Sequence, residues 1–201
     1  MPRPVNHERR VELLDGAVEY AMTHGFSELS GRPVAAALGV TMTTLTHHFG
    51  TKEQLLQAIL ARLRERILAA TSELAGQNPT LPEAARAIWD WSADPQRREM
   101  FGLFFAVYGR ALQAPKLFAE FRAHVVADWM GVLLDAQAPD AGPSEARRRA
   151  TTVIAMIRGL LLDLLATGDR DRVEDAFTAF LDQLAPRREP PTTIPALERE
   201  R

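Results

Sequence analysis

Apolar residues recur at three- and four-residue intervals along nearly the whole chain, and no sustained alternation of apolar and polar residues bounded by turns occurs anywhere. A half-buried strand needs a period of two and a helix one of 3.6, so the pattern restricts the chain to an all-α fold. Val11, Leu14, Val18 and Met22 follow steps of three, four and four. They predict a first helix over about 7–24, with Asn6 as N-cap and Gly25 as a left-handed stop. A second, short helix starts after Ser30 as N-cap and runs to Leu38, closed by Gly39; Pro33 is tolerated because its missing N–H falls in the first turn. A third takes Thr41 as N-cap and ends near His48, placing Leu45 and Phe49 on one side and Met42, Thr43, Thr46 and His47 largely on the other. Thr51 and Gln54 then form a capping box that opens a long amphipathic helix through Leu55, Ile59, Leu63 and Ile67 to about Ala75.

Pro and Gly punctuation places later helices at about 82–93, 95–113, 115–137, 144–167 and 170–185, about nine in all. The segment 186–201 has four prolines and little apolar surface, which predicts a disordered tail. The organisation expected is a three-helix N-terminal domain over 1–50, a larger helical bundle over 51–185, and that tail.

Composition removes several function classes. The chain has no cysteine, which excludes disulfides, thiolate nucleophiles and Cys-ligated metals. Net charge is −2, from 24 basic and 26 acidic residues, so charge alone does not point to nucleic acid. The longest uncharged stretch near the middle, Met100 to Gly109, is short of the roughly 18 apolar residues of a membrane span. The first ten residues lack the apolar core of a secretory signal, and a cytoplasmic location is expected. No His-Glu-x-x-His, Gly-x-Ser-x-Gly or phosphate-loop pattern is present, so no catalytic residue and no cofactor is expected. His47 and His48 point about a hundred degrees apart on a helix, and no metal site is expected there.

Three short helices with a four-residue turn, Leu38-Gly39-Val40-Thr41, are what a helix-turn-helix requires. The turn continues into Met42-Thr43-Thr44-Leu45-Thr46-His47-His48-Phe49-Gly50-Thr51-Lys52-Glu53-Gln54, and this string resembles the TetR/AcrR family of bacterial transcriptional regulators. The resemblance covers residues 7–66, including Gly25-Phe26 and the Ala-x-x-x-Gly-Val turn from Ala35 to Val40. It implies an operator-binding, effector-released repressor that binds double-stranded DNA as a homodimer. Its phosphate contacts would be Ser30, Arg32, Thr41, His48 and Lys52, and its base-reading residues Met42, Thr43, Thr44, Thr46 and His47. Hydroxyls and cations donate to phosphate oxygens, which positions a protein without reading sequence. Thr and Met can touch a thymine methyl, but no Arg or Asn offers bidentate readout. The family usually has Tyr where this chain has Thr46, which keeps one hydroxyl with less reach and no stacking area; Gly31 and Pro33 are also less common choices.

Aromatic residues concentrate between Trp89 and Trp129 and are first of all core. A small-molecule effector pocket, at least partly apolar, is expected among Trp89, Phe105, Tyr108, Phe121, Arg122 and Trp129. The apolar faces of helices 144–167 and 170–185, with Val153, Ile154, Ile157, Leu161, Leu164, Leu165, Val173, Phe177, Phe180 and Leu184, are expected to form a four-helix bundle with a second copy. Asp163 is expected to face Arg158 or the partner chain. Two other classes stay open: a helical small-molecule-binding protein whose helix-turn-helix is structural only, and a cofactorless enzyme in the bundle, for which the sequence offers no residues.

Overall fold

The computed structural model describes residues 7–25, 31–72, 79–138 and 141–184. The expected caps Asn6 and Ser30, and the expected tail, lie outside them. Among the described residues the fold is all-α: α1 (His7–His24), α2 (Gly31–Ala37), α3 (Met42–Phe49), α4 (Lys52–Ser72), α5 (Leu81–Ser92), α6 (Arg98–Gln113), α7 (Ala119–His124), α8 (Ala127–Asp135), α9 (Pro143–Thr167) and α10 (Arg170–Leu184), with a 3-10 turn at Pro95–Arg97 before α6.

Local chemistry sets the boundaries of the first four helices. Thr41 Oγ1 accepts the Thr44 backbone N–H at 3.2 Å and starts α3. The capping box at α4 is complete, with the Thr51 N–H donating to Gln54 Oε1 at 2.8 Å and the Gln54 N–H to Thr51 Oγ1 at 3.2 Å. Gly39 turns between α2 and α3 at φ +63°, as its position in the sequence requires. Gly50 is more constrained, at φ 76° and ψ −125°. A Cβ there would also stand 2.0 Å from Gln54 Oε1, the atom that closes the capping box.

The segment expected as one helix over 115–137 is a turn followed by α7 and α8. Pro115 lacks an N–H, and the chain turns with the Leu117 and Phe118 N–H groups both returning to the Ala114 carbonyl. The carbonyls freed by the two breaks are taken by side chains from other helices: Gln57 of α4 donates to Leu117, and Arg158 of α9 to Val125. Long-range partners of this kind leave no trace in local periodicity.

Two apolar clusters hold the helices together. One joins α5, α8, α9 and α10 around Trp89, Leu133, Val153 and Phe177. The other joins α1–α4 around Leu13, Val18, Leu45 and Ile59, and extends to Leu103, Val107 and Ala111 of α6 and to Phe118. Ile67 and Met100 pack against both. The apolar core of the N-terminal helices therefore does not stop at Gly50.

By length and composition α9 could cross a membrane. One of its faces is packed into the core, however, and Arg158 and Asp163 interrupt its apolar run. Asp163 pairs with Arg172 at 2.8 and 2.9 Å, not with Arg158. The sharp turn at Gly168, φ 72°, brings α10 back alongside and supplies this partner. The Arg172 guanidinium holds the Asp163 carboxyl below its ordinary value.

Gly50→Ala is expected to lower stability by about 1–3 kcal/mol, since only glycine adopts this backbone conformation without strain. Urea denaturation checks this, and a midpoint equal to that of the parent would contradict it.

Candidate functional site

The exposed face of α3 lies between the first turns of α2 and α4. Leu45 and Phe49 are buried and fix the helix to α1 and α4, which leaves Thr41, Met42, Thr43, Thr46 and His47 exposed. A shallow groove brings Met42 and Thr46 together with Arg32 from α2 and Lys52 from α4. At Gly31 a Cβ would meet only the tip of the exposed Met42 side chain, Cε at 2.7 Å, which is free to swing aside.

Two of the expected contact residues stand apart from this exposed set. Thr44 is half-buried, and its hydroxyl is engaged with Thr41 Oγ1 at 3.0 Å in the cap of α3. His48 is half-buried, its ring 5.3 Å from His47 and 6.3 Å from Phe49, and its Nδ1 is buried without a hydrogen-bond partner. Burial first, and then the charges of His47, Arg9 and Arg10, hold the His48 imidazole below its ordinary value. These influences favour the neutral form of the His48 ring over the cation. Ser30 lies outside the described residues.

Sequence reasoning missed the basic residues that α1 places behind α3. Arg10 Nε donates to the His48 carbonyl at 3.3 Å, and its guanidinium lies 5.1 Å from the centre of the Phe49 ring. The Arg9-Arg10 pair is visible in the chain, but only the α1–α3 crossing shows what it touches.

Helix α4 carries this head and is pinned from two sides. Arg62 and Arg66 lie four residues apart on one face, and both hold Asp15 of α1: Arg62 Nε at 2.8 Å, Arg62 Nη2 at 3.2 Å and Arg66 Nη2 at 3.0 Å. Arg64 points the other way and grips Asp128 of α8 through two bonds of 2.6 and 2.7 Å. His124 Nδ1 stands 3.3 Å from Arg64 Nη2.

Arg64, His124 and Asp128 form the polar edge of a cleft between α4, α6, α7 and α8. Counting its open mouth, the cleft encloses about 690 Å³, and its walls are otherwise mostly apolar, including Leu60, Leu63, Ile67, Phe104, Phe121 and Trp129. A second, narrow recess, about 380 Å³ when the solvent space at its open mouth is counted, shares Phe104 and Trp129 with it and reaches Phe105, Ser92 and Arg158. Of the expected pocket residues, Phe121 and Trp129 line the first space, and Phe105 and Trp129 the second. Trp89, Tyr108 and Arg122 line neither. Trp89 is fully buried against α10, stacked on Phe177 at 4.6 Å with its Nε1 donating to Glu174 at 2.7 Å. Arg122 is exposed, and Tyr108 stands behind the wall against Phe104 and Phe121.

The family profile described as "Bacterial regulatory proteins, tetR family" matches residues 13–59, which contain α2, α3 and the groove just described. Over that segment the chain is similar to the tetR family of bacterial regulatory proteins. It is 36% identical over 64 residues to the HTH-type transcriptional regulator UidR of Escherichia coli (strain K12), a stretch covering 32% of this chain and 33% of UidR. The match therefore spans about a third of that relative's length. Over 122 residues it is 27% identical to the HTH-type transcriptional repressor AcnR of Corynebacterium efficiens, covering 61% of this chain and 60% of AcnR. Among solved structures it resembles the multidrug binding protein EbrR complexed with imidazole, with 27% identity, 96% of each chain covered and a TM-score of 0.66.

The Asp15 clamp has a pH signature. The Arg62 side-chain bonds are the largest influence holding the Asp15 carboxyl below its ordinary value, and Arg66 adds to them. Its contribution to stability is complete above that ordinary value of 3.8 and is lost as pH falls through the lower folded value. Asp15→Asn is expected to cost about 1 kcal/mol at neutral pH after allowance for solvent screening, with the difference closing in strong acid. Equal denaturation midpoints for parent and variant at pH 7 would contradict this.

Proposed function

We propose that this chain is a tetR-family member and a cytoplasmic DNA-binding transcriptional regulator, a repressor that leaves its operator when a small molecule occupies the cleft beside α4. The observation that carries the reading is the exposed α3 face of Met42, Thr43, Thr46 and His47, flanked by the Arg32 and Lys52 cations within the segment that matches the family. Such a face reads base edges through methyl and hydroxyl groups while the two cations position it on phosphates. The description of AcnR as a repressor and of EbrR as a multidrug binding protein supports the same reading. No chemical conversion is part of it.

The coupling runs through α4. Its 21 residues span about 32 Å at roughly 1.5 Å per residue, and one side chain on it, Arg64, belongs both to the cleft edge and to the α8 clamp. A ligand that displaces Asp128 or His124 shifts α4, and with it the α1–α3 head held at Asp15. A coupling of about 1–3 kcal/mol lowers operator affinity roughly 5–150-fold.

Two heads on successive major grooves require a homodimer, which we place on α9 and α10. The apolar residues expected to form that interface do not do so: Val153, Ile154, Ile157, Leu161, Leu164, Val173, Phe177, Phe180 and Leu184 are all buried within the single chain, and Leu165 packs against the same core. Periodicity marks an apolar face but not the partner that covers it. The outward stripe available to a second copy is Thr152, Ala155, Gly159, Leu162 and Ala166 on α9, with Ala176 and Ala179 on α10. Small side chains there allow close helix approach.

Fluorescence anisotropy on duplex DNA from upstream of the protein's own gene, with excess nonspecific competitor at fixed salt, tests the reading. Saturable binding should weaken on Thr43→Ala by about 1–3 kcal/mol, and Lys52→Ala should reduce the salt slope by about one. Binding no tighter than to competitor, both here and in a selection from random duplexes, would leave the helix-turn-helix structural only. Gly159 has open space around it within the single chain, so Gly159→Glu should leave the fold intact and halve the mass seen by light scattering. An unchanged mass would move the interface elsewhere.

A further inference from the structure

Arg158 is a charge of the bundle that has no counterion among the described residues. It sits in the middle of α9, half-buried in the wall of the inner recess among Phe101, Phe104, Leu133 and Ile157. Its guanidinium lies 5.7 Å from the ring centres of both Phe104 and Tyr108. Among the described residues it makes no ion pair; its partners are the Val125 carbonyl and the Tyr108 side chain. A guanidinium has five N–H donors, so these neutral partners leave most of its capacity unused. Burial lowers its pKa, but an arginine stays charged at neutral pH.

The nearby acids do not supply the missing charge. Asp128 is held by two bonds from Arg64, and Glu120 is exposed at the rim of the outer cleft. Arg86 and Arg172 have carboxylates, Glu174 and Asp163, whereas Arg98, Arg149 and Arg170 bond backbone carbonyls; of these carbonyl-bound arginines Arg158 is the one that lines the aromatic recess. A cation buried among aromatic rings without a counterion is unfavourable, and an incoming anion removes that penalty. The recess around it is otherwise apolar except for Ser92, and it shares Phe104 and Trp129 with the outer cleft.

The geometry points to a monocarboxylate with an apolar body as the molecule this cleft takes, its carboxylate paired with Arg158 and its body against Phe104, Phe105 and Trp129. This rests on the effector reading above and gives the effector a chemical class. A carboxylate on the unused donors of Arg158 lies beside the Val125 carbonyl at the break between α7 and α8, three residues before Asp128. The site of charge recognition thus adjoins the clamp on α4.

Octanoate, methyl octanoate and octylammonium share one chain and differ in head group, and they serve as probes for isothermal titration calorimetry of the full chain at neutral pH. Octanoate should bind at least about tenfold tighter than the ester and the ammonium, and Arg158→Gln should abolish that preference while the ester still binds. An ester or ammonium that matches octanoate on the unaltered protein overturns the proposal, and that comparison decides alone if the variant does not fold. Octanoate affinity unchanged by Arg158→Gln overturns it as well. Operator affinity is read alongside. Octanoate that binds through Arg158 without loosening DNA upholds the anion site and defeats the effector reading, whereas operator release by the ester and not by octanoate does the reverse.

Discussion

The arrangement depends on guanidinium–carboxylate pairs that hold one helix from opposite sides. Residues four apart on a helix share a face and residues two apart do not. Arg62 and Arg66 therefore both reach Asp15 on α1, while Arg64 reaches Asp128 on α8. Apolar packing alone would let α4 slide or roll by a fraction of a turn, since the hydrophobic effect has no direction. Forked, two-bond pairing fixes its rotation as well as its position. Three arginines within five residues thus set the angle at which α3 is presented and tie it to the wall of the cleft.

Features decided within a few residues were legible in the chain. Thr41 and Thr51 announce helix starts through side chains that cap their own backbone, and Gly39 announces a turn that a Cβ would strain. The exposed residues of α3 followed from the burial of Leu45 and Phe49 at helical spacing. Features decided by distant partners were not legible. The Arg64–Asp128 pair joins residues 64 positions apart. Asp163 finds Arg172 only because Gly168 reverses the chain. The apolar faces of α9 and α10 were readable as apolar, yet their cover is the bundle itself.

The same division runs through the candidate site. His48 belongs to the recognition helix by sequence, but its unpartnered Nδ1 and lowered pKa follow from the packing around it. Trp89 belongs to the aromatic run by sequence, but its indole N–H faces Glu174 on α10 and not the cleft. Composition could nominate the aromatic walls. Only the topology selects which rings share a space with Arg158.

The core beneath α3 draws on two stretches of chain, from Leu13 to Leu63 and from Leu103 to Phe118. During synthesis from the N-terminus, α1–α4 emerge with one wall of that core missing until Phe118 has left the ribosome. The head is also not a portable cassette. A chimera joined at Gly50 would sever it from α4, and one joined after α4 would still lack Leu103, Val107 and Ala111. Recombination that preserves its folding must carry the inner face of α6 along with α1–α4.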